Sequence, residues 1–218
     1  MPKGYMGKIL RVDLTNKTLS EEKIDDALYR KYIGGVGLQA YFLYKETDEK
    51  TDPLGPENRL MFMTGPFTGS GLPSSGRHSV VAKSPLTGIW GESDVGGYWG
   101  IGLKGTGFDG VIVQGASDSP VYIYIDENGA QILDATDLWG KDTFETDKLL
   151  KQKHGKNIVV QSIGQAGERL IPIACIMTDG MDARAAGRCG LGAVMGSKKL
   201  KALVVKGHKK AEIHDPDT

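Results

Sequence analysis

Short apolar runs separated by glycine-rich or polar turns dominate the chain, a pattern that is typical of β-strands. In the opening segment GKILRVDL, Leu10, Val12 and Leu14 alternate with polar residues and predict one buried face. A short strand is expected after the turn at 15–17. The same reasoning predicts strands at residues 60–64, 79–82, 110–114, 120–125, 131–133, 157–163, 170–176 and 203–206.

Apolar residues at helical spacing predict three helices, at residues 25–33, 37–44 and 143–154. In the third, Phe144, Leu149 and Leu150 are expected to face inward. Glycine punctuates the segments 65–76, 91–107 and 179–197, which are interpreted as loops. The strands 110–114 and 120–125 are expected to form a hairpin around residues 115–119.

Because strands outnumber helices and few βαβ units are visible, the chain is predicted to be α+β with mostly antiparallel β-sheets and a few helices. Two weak echoes suggest an internal duplication. GVIVQG at 110–115 resembles ALVVKG at 202–207, and the Gly-Arg pair at 76–77 resembles the pair at 187–188. Such short matches also arise by chance, so both explanations stay open.

The composition is that of a soluble globular protein, with 39% hydrophobic and 25% charged residues. Its net charge is zero and it has no long basic run, so a nucleic-acid partner is not expected. No apolar run approaches the ~20 residues that span a membrane, and the first residues lack a secretory apolar region, which predicts a cytoplasmic protein.

Two cysteines and four scattered histidines do not form a metal-binding motif, so a self-contained zinc or iron–sulfur site is not expected. Cys175 lies in the apolar run IPIACIM and is predicted to be a small core residue. Cys189 follows an arginine, and packing is favoured over a place near a ligand.

The strongest chemical signal is a glycine-flanked arginine in each of two glycine-rich loops, Arg77 and Arg188. The chain holds 31 glycines, about twice the usual ~7%. Glycine lets the backbone approach a ligand, and a guanidinium suits phosphate or other planar anions. The two loops together therefore predict one large anionic ligand held from two sides. Tight turns with ordinary surface arginines are the alternative.

Further residues could contribute to the same site. The pair Gly96-Gly97 implies close approach of a ligand or a strand bulge, and the following Tyr98 and Trp99 are expected to fill the core rather than stack on a ring. Arg184 lies four residues before the second loop's arginine, so one helical turn would place both guanidiniums around an anion.

Motifs for an independent reaction are missing from the sequence. The chain has no GxxxxGK[ST] loop, and its glycine patterns lack the strand-then-helix context of dinucleotide-binding folds. No Ser-His-Asp order or paired catalytic carboxylates are recognisable. The chain is therefore predicted to hold a cofactor rather than to run a reaction alone.

Three long motifs resemble the N-terminal domain of the aldehyde ferredoxin oxidoreductase family. They occur in the family's order and span most of the chain, from about residue 7 to 207. They read GPENRLMFMTGPFTGSGLPSSGRHSVVAKSPLTG, DVGGYWGIGLKGTGFDGVIVQG and DGMDARAAGRCGLGAVMGSKKLKALVV.

The resemblance implies a tungsten or molybdenum enzyme that oxidises aldehydes to carboxylic acids and passes electrons to ferredoxin. The family's relatives include the tungsten subunit of benzoyl-coenzyme A reductases. The metal is held by dithiolenes of two pterins (tungstopterin), and the N-terminal domain is the base on which this bis-pterin lies. A four-iron–four-sulfur cluster lies beside it, ligated by cysteines of later domains and thus outside this chain.

The resemblance also assigns site residues. Arg77 matches an arginine that reaches between pterin and cluster, and Gly96 a backbone contact. Backbone carbonyls at the positions of Asp94 and Ala185 would help hold a magnesium ion that bridges the pterin phosphates. The second pterin loop corresponds to Arg184, Ala185, Gly187 and Arg188.

Some features depart from the family pattern. Asp94 stands where the best-known members have asparagine, so its side chain is expected to point away from the anion or to pair with an arginine. The segment DGMDARAAGR is longer than its counterpart. The cluster ligands and acid/base residues of later domains are absent here. A truncated polypeptide is favoured over a separately encoded domain.

The domain is expected to cover residues 1–208, with 209–218 as a linker or tail. The isolated chain is predicted to lack turnover and to self-associate through apolar surface meant for the missing C-terminal domains. The alternative function is a non-catalytic anion-binding or scaffold module that keeps the fold without the cofactor. In such a module the arginines would be free to diverge, and a generic phosphate or nucleotide binder is a weaker third possibility.

Overall fold

The computed structural model describes residues 2–215, which form two six-stranded mixed sheets and six helices. The first sheet has the order β2-β1-β6-β3-β4-β5. Its strands are β1 (Lys8–Asp13), β2 (Thr18–Lys23), β3 (Leu60–Thr64), β4 (His78–Lys83), β5 (Trp90–Val95) and β6 (Gly110–Gln114).

The second sheet has the order β11-β10-β9-β12-β7-β8. Its strands are β7 (Val121–Asp126), β8 (Gly129–Asp134), β9 (Val159–Ser162), β10 (Ile176–Thr178), β11 (Arg184–Ala186) and β12 (Leu200–Lys206). Within each sheet only one pair is parallel, β1 with β6 and β7 with β12, and the other strand pairs are antiparallel. The prediction of an α+β protein with mostly antiparallel sheets is confirmed.

The two sheets share one topology. Adding six to each strand number of the first sheet reproduces the order of the second, including the position of the parallel pair. This correspondence supports an internal duplication in which the first repeat carries β1–β6 and the second repeat carries β7–β12. It also matches β6 to β12, as the echo of GVIVQG in ALVVKG indicates. The echo between the two Gly-Arg pairs is wrong, because residues 76–77 lie between β3 and β4 whereas residues 187–188 follow β11.

The helices begin and end at expected signals. Asp25 and Asp142 precede two of them, and each carboxylate accepts a hydrogen bond from a backbone N–H of the first turn. A third helix ends at Gly107, whose left-handed backbone suits glycine. The helices are α1 (Asp26–Tyr32), α2 (Gly35–Glu46), α3 (Trp99–Thr106), α4 (Thr143–His154), α5 (Gln165–Glu168) and α6 (Leu191–Ser197).

Alternating side chains distribute each sheet between two cores. In β3, Phe62 belongs to the central core between the sheets, whereas Met61 and Met63 face α1 and α2 on the outer side. The central core also contains Trp99 of α3 and residues of α6, and α4 covers the outer face of the second sheet. Burying each large apolar side chain contributes about 1.5–3 kcal/mol. Among residues 2–215 no helix is long and apolar enough to cross a membrane.

Several predicted elements are wrong. Strands β6 and β7 belong to different sheets, so the hairpin around 115–119 does not form, although the β7–β8 hairpin does. The predicted strand 170–176 is mostly irregular, and β10 begins only at its last residue. Phe144 is 44% exposed, whereas Leu150 faces inward as predicted. The supposed loops 91–107 and 179–197 contain β5, α3, β11 and α6.

After β12 the chain still contacts the domain. The Lys209 amide donates to the carbonyl of Gly105, and the carbonyl of Glu212 accepts from the Gly4 amide. The ion pair between Lys3 and Glu212 lies at the same place. Backbone contacts therefore continue beyond residue 208, the expected end of the domain.

Candidate anion-binding cleft

A cleft of about 550 Å³ lies where the two sheets meet. Its walls are the β3–β4 loop of the first repeat, the turn between β5 and α3, and the start of β11 in the second repeat. Arg77 and Arg184, which are 107 positions apart in sequence, thus face the same cleft. The polar and charged lining consists of Ser74, Ser75, Arg77, Tyr98 and Arg184, and glycines supply much of the remainder.

Close backbone packing explains the glycines at this site. A Cβ atom on Gly76 would lie 2.3 Å from the carbonyl oxygen of Gly97, a distance at which no side chain fits. Gly97 itself has φ +99, and a Cβ there would lie 1.5 Å from an oxygen of Asp179. The first glycine loop, the β5–α3 turn and the β10–β11 turn therefore pack directly on one another.

Asp179 is a site residue that the sequence reasoning missed. Its carboxylate is 3% exposed and accepts a hydrogen bond from the Tyr98 amide at 3.0 Å. The same oxygen lies 3.7 Å from Nε of Arg184. Burial raises the pKa of the Asp179 carboxyl, against the opposing effect of the Tyr98 hydrogen bond. Asp-Gly at 179–180 is a turn signal in the sequence, but nothing local indicated its partner.

The two arginines in the cleft differ in their surroundings. The guanidinium of Arg77 is exposed and has no hydrogen bond or ion pair within residues 2–215. The side chain of Arg184 is 51% exposed and keeps its loose contact with Asp179. At least one positive charge is therefore uncompensated in a cleft lined by hydroxyls and backbone, an arrangement that can bind an anion.

The remaining predicted site residues lie beside this cleft and do not line it. Asp94 is exposed on β5, and in the described part of the chain its carboxylate pairs with no arginine. Ala185 lies on β11 opposite Met177. Gly187 and Arg188 follow β11 and are exposed, and the Arg188 amide donates to Ser93 Oγ of β5 at 3.3 Å. Its guanidinium, like that of Arg77, has no partner among residues 2–215.

Three local predictions about residues in and near the cleft are corrected by the structure. Arg184 and Arg188 do not share a helical turn, because the first lies in strand β11 and the second in the connection to α6. Trp99 fills the core as predicted, but Tyr98 is 62% exposed at the cleft. Cys175 is only half-buried and not a core residue, since the run before β10 is irregular.

A neutral polar contact lies beneath the cleft. His78 Nε2 in β4 lies 3.2 Å from Gln161 Oε1 in β9, and the imidazole packs on Trp99 with ring centroids 4.7 Å apart. Burial lowers the pKa of His78 to about 4, so the ring is uncharged at neutral pH. This contact joins the two sheets at the residue that follows Arg77 in the sequence.

Two lysines of the segment SKKLKA, residues 197–202, have structural roles. Lys198 is fully buried and donates to the carbonyls of Pro56 and Gly115, and burial lowers its pKa to about 7. Lys201 is also fully buried and donates to Glu168 and to the carbonyl of Lys141. These lysines connect distant segments and do not reach the cleft.

The sequence profile described as "Aldehyde ferredoxin oxidoreductase, N-terminal domain" matches residues 9–207. The chain belongs to this family. It is 50% identical over 213 residues to the tungsten-containing aldehyde ferredoxin oxidoreductase of Pyrococcus horikoshii, with 97% of this chain and 35% of the relative covered. It is 41% identical to the aliphatic sulfonate oxidoreductase WOR-like subunit of Pyrococcus furiosus, covering 94% of this chain and 35% of that protein.

A solved structure gives the same fold. The active-site complex BamBC of benzoyl coenzyme A reductase with 1,5-dienoyl-CoA contains a chain that matches with a TM-score of 0.96 and 35% identity. The match covers 100% of this chain and 33% of that chain. This chain therefore spans about a third of the length of the relatives it matches.

The residues of the cleft fit a large anionic group. Two guanidiniums face it, and the glycines leave backbone amides within reach of a ligand. Among residues 2–215 no three His, Cys, Asp or Glu side chains cluster as metal ligands, so metal held here would need ligands from the bound group itself. Of the three arginines whose convergence would distinguish a ligand site from an empty scaffold, Arg77 and Arg184 line the cleft and Arg188 does not.

Proposed function

We propose that this chain is the cofactor-binding base of a tungsten or molybdenum bis-pterin oxidoreductase that converts aldehydes to carboxylic acids with ferredoxin as electron acceptor. The observation that carries the proposal is the convergence of Arg77 and Arg184 on a glycine-lined cleft between the repeats. Relatives named as tungsten-containing aldehyde ferredoxin oxidoreductases, at up to 50% identity, support the choice of metal and substrate class.

Each part of the cleft would contribute to holding the cofactor. Arg77 would neutralise a pterin phosphate or reach between the pterin and the cluster. Arg184 would bind the cofactor from the opposite wall. Gly96 would allow backbone contact, and Gly187 and Arg188 would extend the site along the second repeat. The carbonyls of Asp94 and Ala185 would help hold magnesium between the phosphates.

When bound, the metal–pterin group supplies the two-electron redox chemistry. The chain's own residues bind and orient it and set the electrostatic field around it. The four-iron–four-sulfur cluster, the acid/base residues and the aldehyde pocket would come from segments beyond this chain. We propose a cytoplasmic enzyme whose pterin-binding domain covers residues 1–208, with 209–218 as a connecting tail.

Metal and pterin analysis tests the proposal. The chain is purified alone and as a chimera with the remaining two thirds of the Pyrococcus horikoshii relative, and tungsten, molybdenum and oxidised pterin are quantified. We expect stoichiometric pterin and metal in the chimera, and loss of both in Arg77→Ala. Arg169→Ala, an exposed arginine outside the cleft, is the matched control.

The outcomes separate the two functions. Pterin in the chimera that disappears in Arg77→Ala but not in Arg169→Ala supports the cofactor-binding base. A folded chimera without pterin or metal contradicts it and favours the scaffold module. Aldehyde oxidation by the isolated chain would contradict the division of roles between this domain and the later ones.

A further inference from the structure

The buried carboxylate of Asp179 connects the two repeats at the cleft. It lies at the start of the β10–β11 turn of the second repeat, with a left-handed backbone of φ 63. Both carboxylate oxygens face the Tyr98 amide of the first repeat, at 3.0 and 3.2 Å, just before α3. Thr178 Oγ1 lies 3.4 Å from one of them. One side chain thus reaches from the second repeat to the wall formed by the first.

The same carboxylate also limits where Arg184 can lie. Its contact is with Nε, at 3.7 Å, so the terminal nitrogens remain available to the cleft. Nη1 of Arg184 lies 3.8 Å from the position of a Cβ on Gly96, and Cδ lies 2.8 Å from that of Gly97. The arginine side chain therefore runs across the two glycines of the turn that Asp179 holds.

Burying the negative charge of Asp179 does not stabilise the folded protein. Because burial raises the pKa of Asp179, the ionised form is less favourable in the folded protein than in water. An asparagine could also accept the Tyr98 hydrogen bond through its Oδ1. The negative charge is then left with one specific partner in the cleft, the guanidinium of Arg184.

We propose that Asp179 is a positioning residue that fixes the β5–α3 turn and holds the Arg184 guanidinium toward an anion in the cleft. This inference rests on the proposed function, since it needs the cleft to bind an anion. Asp179 itself would not touch the ligand. Its effect would pass through Arg184.

A double-mutant cycle with inorganic pyrophosphate as the probe tests the inference on the full chain. Affinities are measured by calorimetry for the wild-type protein, Asp179→Asn, Arg184→Gln and the double variant. We expect Asp179→Asn to weaken pyrophosphate binding roughly three- to tenfold, within the usual range for contacting residues. In the Arg184→Gln background the same change should have an effect below about twofold, because the residue it acts through is gone.

Amide hydrogen exchange at Tyr98 gives a readout that does not depend on any ligand. Asp179→Ala should lose protection of this amide, and Asp179→Asn should retain most of it. Unfolding in urea accompanies each variant, and we expect Asp179→Asn to be as stable as the wild-type protein at pH 7. An Asp182→Asn variant, which removes a neighbouring exposed carboxylate, is the matched control.

The results separate this inference from the proposed function. Equal effects of Asp179→Asn in both backgrounds, or tighter binding of pyrophosphate by Asp179→Asn, would overturn the positioning role. A wild-type chain that protects the Tyr98 amide but binds no pyrophosphate would overturn the anion cleft of the isolated chain and this inference with it, whereas pterin and metal in the chimera decide the proposed function separately. An Asp179→Asn effect that is present in the wild-type background and absent in the Arg184→Gln background supports both the positioning role and the anion cleft.

Discussion

The imidazole of His78 and the side-chain amide of Gln161 meet 3.2 Å apart in the interior, one from each sheet. Neither residue is more than 2% exposed, and each has a second polar atom, His78 Nδ1 and Gln161 Nε2, without a hydrogen-bond partner in the described structure. The pair therefore joins the repeats at a site where added charge is costly.

Acid should destabilise the domain through His78. Burial lowers its pKa from 6.5 to about 4, so the unfolded chain binds this proton more tightly than the folded protein does. The contribution to stability is complete above pH 6.5 and falls by roughly 3 kcal/mol as the pH drops toward 4. The free energy of unfolding, measured in urea at several pH values, should depend less steeply on pH in His78→Gln than in the wild-type protein. Parallel curves for the two proteins would contradict the prediction.

Gly76→Ala should disturb the cleft without a change in charge. Its Cβ would lie 2.3 Å from the Gly97 carbonyl oxygen, and overpacking of this kind costs about 1–3 kcal/mol. Gly65→Ala in the same loop is the control, because its Cβ meets nothing within 4 Å. Urea unfolding and pyrophosphate affinity measure the two variants. If both lose equal stability, the close approach is not the cause.

Lys201→Met should be severely destabilising. The side chains of Lys201 and Glu168 are 0% and 4% exposed, and removing one buried partner leaves an uncompensated charge. The expected loss is about 3–5 kcal/mol in the free energy of unfolding. Glu168→Gln added to Lys201→Met should restore part of it, since glutamine is neutral and still accepts from the Gly140 amide. Thermal and urea unfolding compare the three proteins, and a double variant no better than the single one would count against this explanation.

Self-association should depend on apolar residues at the turn tips of the two repeats. A Cβ on Gly190 would touch both Pro85 and Pro172, so the β4–β5 turn and the loop before β10 lie together. Ile89 and Ile173 in these segments are each 68% exposed. Ile89→Ser with Ile173→Ser should reduce association in sedimentation velocity. Tyr44→Ser, 90% exposed elsewhere, is the control, and a monomeric wild-type chain at high concentration would contradict the prediction.

Much of the local structure could be predicted from sequence where one signal dominates. The strands 60–64 and 110–114 have the predicted bounds, because continuous apolar runs leave few alternatives to a buried strand. Helix 143–154 also has the predicted bounds, with Asp142 capping its start and Gly155 following its end. The family resemblance came from motifs that the profile match over residues 9–207 confirms.

Helices α3 and α6 could not be predicted, because their glycines oppose helix formation by about 1 kcal/mol each. The tertiary structure needs those glycines. A Cβ on Gly105 would lie 2.4 Å from the carbonyl oxygen of Gly207, and one on Gly196 would lie 2.0 Å from that of Gly167. Close backbone packing thus outweighs local propensity, and no pattern within one segment reveals it.

The sequence by itself indicated the fold class through its periodic apolar residues, the family through the resemblance of three motifs, and the glycine-flanked arginines through local composition. Only the tertiary structure decided which of these residues meet. Arg77 and Arg184 face one cleft because the two repeats pack together, and Asp179 joins them through contacts with Tyr98 and Arg184. Contacts between segments so distant in sequence depend on how the sheets pair and pack, which local residue preferences do not specify.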